Sequence, residues 1–162
     1  MNLAGLAQGL VLAAAANATP LLAKRLMGAH LAWPLDGGHR FFDGRPLLGP
    51  SKTVRGVAVA LLAATAAALL MGLPAGIGAL AGAAAMAGDM LSSFTKRRLG
   101  RPSSSQMLLI DQVPESLLPL LAVAVPMRLG VAEIALGVLA FFVGELLLSR
   151  LLFRIGLRDE PY

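Results

Sequence analysis

Ala75-Gly-Ile-Gly-Ala-Leu-Ala-Gly-Ala-Ala-Ala-Met-Ala-Gly-Asp89-Met-Leu-Ser92-Ser93-Phe-Thr-Lys96-Arg97-Arg98 is a small-residue, apolar run that closes on three consecutive cations. A bilayer core about 30 Å thick is crossed by roughly 20 helical residues, and residues 75–95 have that length. The Gly78-x3-Gly82 pair permits close helix approach, which predicts a helix at the centre of a bundle, packed within one chain or between two copies in a homodimer. The same ruler lays out four more spans: about 3–23, with Asn17 and Pro20 near its end; about 53–73; about 131–153, enclosing Glu145; and a broken fourth span, reached only by joining 107–116 to 117–127. Gly72-Leu73-Pro74 marks the turn between the second and third. No basic segment precedes the first apolar run, so it reads as a retained helix, not a cleaved signal. The expected fold class is all-α, one polytopic membrane domain over residues 1–162 with about five transmembrane helices.

Basic residues orient this bundle. Lys24, Arg25, Arg40, Arg45, Lys52 and Arg55 flank the first connection, Lys96, Arg97, Arg98 and Arg101 the third, and Arg150, Arg154 and Arg158 the C-terminal end. Five spans put these groups on one side and leave only Arg128 opposite. The positive-inside rule makes the crowded side the cytoplasm, with the N-terminus outside, the C-terminus cytoplasmic and the plasma (inner) membrane as location.

Composition narrows the chemistry. Hydrophobic residues make up 57% of the chain and charged ones 14%, outside the range of soluble domains. The absence of cysteine excludes disulfides and thiolate metal sites, and His30 and His39 alone do not make a conventional zinc centre. The 14 Lys and Arg outnumber 9 Asp and Glu, but only 5% of residues are aromatic and the cations lie between apolar runs. That pattern points to membrane lipids or a polyphosphate, and not to nucleic acid, as partner. Without an internal repeat, an inverted-repeat transporter has no support.

Two segments concentrate candidate chemistry. Asp89, Ser92, Ser93 and Lys96 stand at i, i+3, i+4 and i+7, one helical face carrying a carboxylate, two hydroxyls and an ammonium. At 1.5 Å per residue, Asp89 lies about 10 Å below Lys96, a depth at which a carboxylate needs a partner. Mg2+ suits the position, since it takes one or two carboxylates plus phosphate oxygens, and Asp111 offers a second carboxylate; the plainer alternative is a salt bridge from Asp89 to a loop arginine. In the first connection, Asp36, Asp43 and several glycines precede Lys52, Thr53 and Arg55, which stand where the second helix begins and its free amides favour anions. Two residues separate Gly49 from Lys52, so this is not a Walker A loop. A purely electrostatic anchor explains the cations there but not the acids. Trp33 and the histidines read as interfacial.

Residues 35–56 resemble the Asp-Gly … Gly … Lys-Thr-x-Arg-Gly loop of CDP-archaeol synthases. Gly88-Asp89 … Ser93-Phe94 … Lys96-Arg97-Arg98 … Gly100 … Asp111-Gln112 is similar to that family's most characteristic stretch, and the five-span layout agrees over nearly the whole chain. The resemblance implies a relative of phosphatidate cytidylyltransferases that condenses CTP with a lipid phosphate to give a CDP-lipid and pyrophosphate, with Mg2+ as cofactor. It implies Asp89, Asp111, Lys96 and Lys52 as catalytic residues, with Asp89 and Asp111 on the metal. Asp43, Gly44, Thr53, Arg55, Ser92, Ser93, Arg97, Arg98 and Gln112 are the implied substrate-binding set. Two departures stand out: residues 101–109 are Ser-rich where the resemblance expects a glycine, and Asp111-Gln112 continues as Val113-Pro114-Glu115 where it expects an aromatic residue. Both acceptors, an archaeal ether-lipid phosphate and phosphatidate, stay open, as do the roles of Glu115 and Glu145. The repeated aspartates of CDP-alcohol phosphotransferases are absent. A non-enzymatic bundle binding anionic lipid or a partner subunit is the remaining rival, and it has no use for acids at this depth.

Overall fold

The computed structural model describes residues 1–154; Arg158, the last cation of the C-terminal group, lies outside them. Five helices form among the described residues: α1 Leu3–Met27, α2 Val54–Leu70, α3 Ala75–Arg98, α4 Gln112–Ala122 and α5 Val131–Arg154. By length and composition α1, α3 and α5 are apolar enough to cross a membrane, whereas α2, at 17 residues, is a shorter apolar helix.

Local signals explain the boundaries. The Asn2 side chain accepts the Gly5 N–H at 3.0 Å and starts α1, which runs beyond the expected position 23 to take in Lys24 and Arg25. These cations, like Lys96, Arg97 and Arg98 at the end of α3, sit in a last turn where free carbonyls favour positive charge. Thr53 caps α2, its Oγ1 accepting the Gly56 N–H at 3.1 Å. Pro74 precedes α3 and has no N–H to lose at that position. The fourth segment is broken as its composition predicts: turns occupy 108–111 and 123–128, and only the 11 residues of α4 are helical.

Helix α1 packs on all four other helices, and α3 on α1, α2 and α4, so the two share the centre. Small residues make this possible. A Cβ on Gly78 would collide with the Ala64 carbonyl oxygen and lie 2.7 Å from the Ala68 Cβ, and one on Gly82 would sit 3.1 Å from the Ala64 Cβ. The glycine pair is therefore used within the chain, against α2. Gly88 performs the same service toward α4, where an added Cβ would collide with the Pro114 carbonyl oxygen and lie 2.9 Å from the Glu115 nitrogen.

The bundle has two dissimilar ends. At one, the N-terminus meets the α4–α5 connection: the Asn2 amide donates to Glu133 at 2.9 Å and its side chain to the Met127 carbonyl at 2.8 Å. Arg128 belongs to this end. At the other, residues 28–53 and 99–111 meet over the end of α3, bringing the first and third groups of cations together.

Candidate functional site

Residues 28–53 fold back on themselves through short bridges, Pro34 to Thr53 and Arg40 to Pro46. Asp36 organises this hairpin, accepting N–H groups from Gly38 at 3.0 Å, Leu48 at 2.8 Å and Gly49 at 3.0 Å. Burial pushes its carboxyl up, but the N–H donors of Gly49, Leu48 and Gly38 outweigh that and hold it below the usual aspartate value. Arg98 clasps the hairpin to α3: it lies 2.6 Å from Asp43, donates to the Pro46 carbonyl at 2.6 Å, and stands over the rings of Phe41 and Phe94. Arg45 in turn donates to the Arg98 carbonyl. Gly44, at φ +75°, makes the hairpin turn between Asp43 and Arg45. Arg55 ties the far end of the loop, donating to the carbonyls of Gly28 at 3.1 Å and His30 at 2.5 Å.

The second loop wraps the last turns of α3. Lys96 donates to the Ser105 carbonyl at 2.9 Å and pairs with Asp111 at 2.6 Å, both side chains about one-tenth exposed. Arg97 donates to the Pro102 carbonyl at 2.6 Å. Asp111 also accepts the Met107 N–H at 2.8 Å, and Gln112, fully buried, accepts that of Leu109 at 2.9 Å. Ser51 and Ser103 join the two loops at 3.1 Å.

Beneath them, Lys52 forms an ion pair with Asp89. The partner of Asp89 is thus a lysine of the first loop, where the sequence suggested an arginine. Glu115 of α4 lies near enough to Asp89 for the two carboxyl groups to interact, with Lys52 and Glu145 in the same neighbourhood. Because α3 and α4 run antiparallel, the contacts form two rungs: Asp89 with Glu115 on the deeper, Lys96 with Asp111 on the shallower. Asn17 of α1 steadies the deeper rung from behind, its amide donating to the Glu115 carbonyl at 3.3 Å. A small cleft opens beside the Lys52–Asp89 pair. Ser51, Lys52, Thr53 and Asp89 line one part, and Pro20, Val57, Met86 and Met90 the other.

The anticipated residues therefore gather at one end of the bundle, but with different duties. Lys52, Asp89, Lys96, Asp111, Ser92, Ser93 and Gln112 are at or beside the rungs. Thr53 and Arg55 hold the start of α2, while Asp43, Gly44 and Arg98 hold the hairpin. Asp36 and Asn17 were not among the anticipated site residues, and Glu115, four residues after Asp111, stood between adding a carboxylate to the site and starting the fourth helix.

A family model for the CarS-like CDP-archaeol synthases matches residues 75–162, more than half of the chain. The CDP-archaeol synthase of Pyrobaculum calidifontis is 32% identical over 152 residues, covering 91% of this chain and 90% of that protein. The chain belongs to the CDP-archaeol synthase family. The family's Hyperthermus butylicus member is 42% identical over 107 residues, a match that spans 61% of that protein's length and 62% of this chain. A solved structure of an intramembrane enzyme for archaeal membrane lipids biosynthesis superposes with a TM-score of 0.71 at 31% identity, covering 88% of this chain and 90% of the other. This member of the CDP-archaeol synthase family thus shares its all-α membrane architecture with that intramembrane enzyme.

Magnesium belongs to the chemistry expected of this family. No cluster of three or more His, Asp or Glu side chains suited to a metal occurs among the described residues. The donor set still fits, since Mg2+ is held by one or two carboxylates with waters and substrate phosphates completing the shell, and Asp89 and Asp111 are carboxylates at the loop-covered end of α3.

Proposed function

We propose that this chain is a CTP-dependent cytidylyltransferase that converts a membrane lipid phosphate into a CDP-lipid with release of pyrophosphate. Family membership over most of the chain supports the reaction. The observation that carries the substrate class is the cleft joining the Lys52–Asp89 pair to the apolar wall of Pro20, Val57, Met86 and Met90. A molecule with an anionic head and a hydrocarbon tail matches both halves. The relatives bear the name CDP-archaeol synthase, which favours an archaeal ether-lipid phosphate over phosphatidate as acceptor.

In the reaction a phosphate oxygen of the lipid attacks the α-phosphorus of CTP, and the α–β phosphoanhydride bond breaks to release pyrophosphate. Two anions must be brought together, so the residues that matter are cations and fixed donors. Lys52 and Lys96 are the catalytic ammonium groups, one on each rung. Ser92 and Ser93, buried beside them, donate to phosphate oxygens, and Gln112 adds an amide. Arg97 extends the positive lining toward the loops, while Thr53, Arg55, Asp43, Gly44 and Arg98 shape the loop that covers the nucleotide. Of the two carboxylates that the resemblance assigns to magnesium, Asp89 would hold it at the deeper rung while Asp111 stands on the shallower one; when bound, the ion would neutralise charge on the phosphates. The loop-covered end faces the cytoplasm, where CTP is dissolved, and the N-terminus lies outside; five membrane-crossing segments, with α4 as a short broken one, satisfy that orientation and the positive-inside rule.

Pyrophosphate release by the purified protein in nanodiscs, with CTP and Mg2+, tests the reading. Lipid-dependent release is expected, greater with an unsaturated ether-lipid phosphate than with phosphatidate, and Asp89→Asn should lower it by about 100-fold or more. A folded protein silent with both lipids would refute it.

A further inference from the structure

Asp89 and Glu115 are 26 positions apart, yet they meet across the α3–α4 contact, near enough for their carboxyl groups to interact. Two features of the fold force this. Gly88 lets the backbone of α3 meet that of Pro114 and Glu115, with no room for even a methyl group between them. From the other side, Asn17 binds the Glu115 carbonyl and holds the first turn of α4 against α1 and α3. Carboxyls pressed together in a half-buried setting need a proton or a cation between them. Lys52 contributes one positive charge, but it pairs with Asp89 while Glu145 adds a further negative field at Glu115. The deeper rung is therefore a pair of hard oxygen donors on facing helices, with more negative than positive charge around it and a cleft that reaches Asp89. Asp111, the other candidate carboxylate, is already matched on the shallower rung by Lys96 and the Met107 amide.

We propose that Glu115 is a magnesium-binding residue of this site, its carboxylate joining that of Asp89 across the α3–α4 contact. The assignment rests on the cytidylyltransferase reading and deepens it. Mg2+ needs no more than two protein carboxylates, and with both on the metal, Lys52 is released from Asp89 toward phosphate.

The test is Mn2+ binding to the purified full-length protein in nanodiscs, read as loss of the free-ion paramagnetic resonance signal and displaced by Mg2+. Parent, Glu115→Gln, Glu115→Asp and Asp89→Asn are compared, each checked by its metal-free unfolding temperature. Glu115→Gln should weaken Mn2+ by at least about tenfold, the scale on which loss of a metal-site group is felt. Glu115→Asp, which keeps the charge, should recover part of the affinity. Unchanged affinity in Glu115→Gln beside a loss in Asp89→Asn would overturn the assignment while leaving the cytidylyltransferase reading intact. A parent protein that binds no Mn2+ and releases no pyrophosphate from CTP would overturn both.

Discussion

Lys96 and Asp111 lie 2.6 Å apart beneath the second loop, each with about one-tenth of its side chain exposed. Removing one member of such a pair leaves a buried charge without its partner, which costs about 3–5 kcal/mol. Lys96→Met and Asp111→Leu should each lower the unfolding temperature in detergent, and the Lys96→Met/Asp111→Leu double variant should recover much of that loss. Thermal unfolding of the four proteins checks it, and additive losses in the double variant would disprove the coupling.

Gly88 and Gly76 lie on the same helix but in opposite circumstances. A methyl group at Gly88 meets the Pro114 backbone, whereas at Gly76 it meets nothing within 4 Å. Gly88→Ala should destabilise by about 1–3 kcal/mol through overpacking and lower turnover by parting Asp89 from Glu115. Gly76→Ala should stabilise by up to about 1 kcal/mol through helix propensity. Chemical unfolding and pyrophosphate release of both variants are the measurements.

The Asp36 carboxylate gives the first loop a pH dependence of known sign. Its pKa is lowered in the folded chain, so the stabilisation is fully present above the unfolded value of about 4 and fades as pH falls through the folded one. Hydrogen exchange at the Leu48 and Gly49 amides should stay slow at neutral pH and accelerate, beyond its intrinsic pH dependence, only in acid below pH 4. Asp36→Asn should show fast exchange at every pH.

Arg98 joins the hairpin to α3 through Asp43, the Pro46 carbonyl and two aromatic rings. Because Asp43 is well exposed, the ion pair alone counts for little, and the ring contacts carry part of the hold. Arg98→Lys should therefore behave nearly like Arg98→Ala, with faster proteolysis within residues 35–48 and a higher KM for CTP at a kcat changed less than about threefold. A lysine variant indistinguishable from the parent would assign the hold to charge alone.

Most of the architecture was legible from local properties. Hydropathy over residues 3–23, 53–73, 75–95 and 131–153 anticipated α1, α2, α3 and α5, and the deficit of apolar residues around Asp111 anticipated the broken fourth segment. The cations of the first and third connections do lie at one end, with Arg128 at the other, because alternating helices dictate it. Hydropathy and charge are sums along the chain, so they survive without knowing how any helix is turned. Pairing is not such a sum. That Asp89 takes Lys52 and Glu115, while Asp111 takes Lys96, depends on the antiparallel register of α3 and α4, on Gly88 admitting the Pro114 backbone, and on Asn17 reaching Glu115 from a third helix. Asp36 likewise reads as a loop charge, and Arg55 as an anion-binding cation at the start of the second helix, until the folded loop shows which amides and carbonyls they bind. The sequence by itself determined a cation-capped membrane bundle and the set of residues that could do chemistry in it; which carboxyls meet was decided only by tertiary structure, because rotation and register of packed helices are set by contacts between residues far apart in the chain.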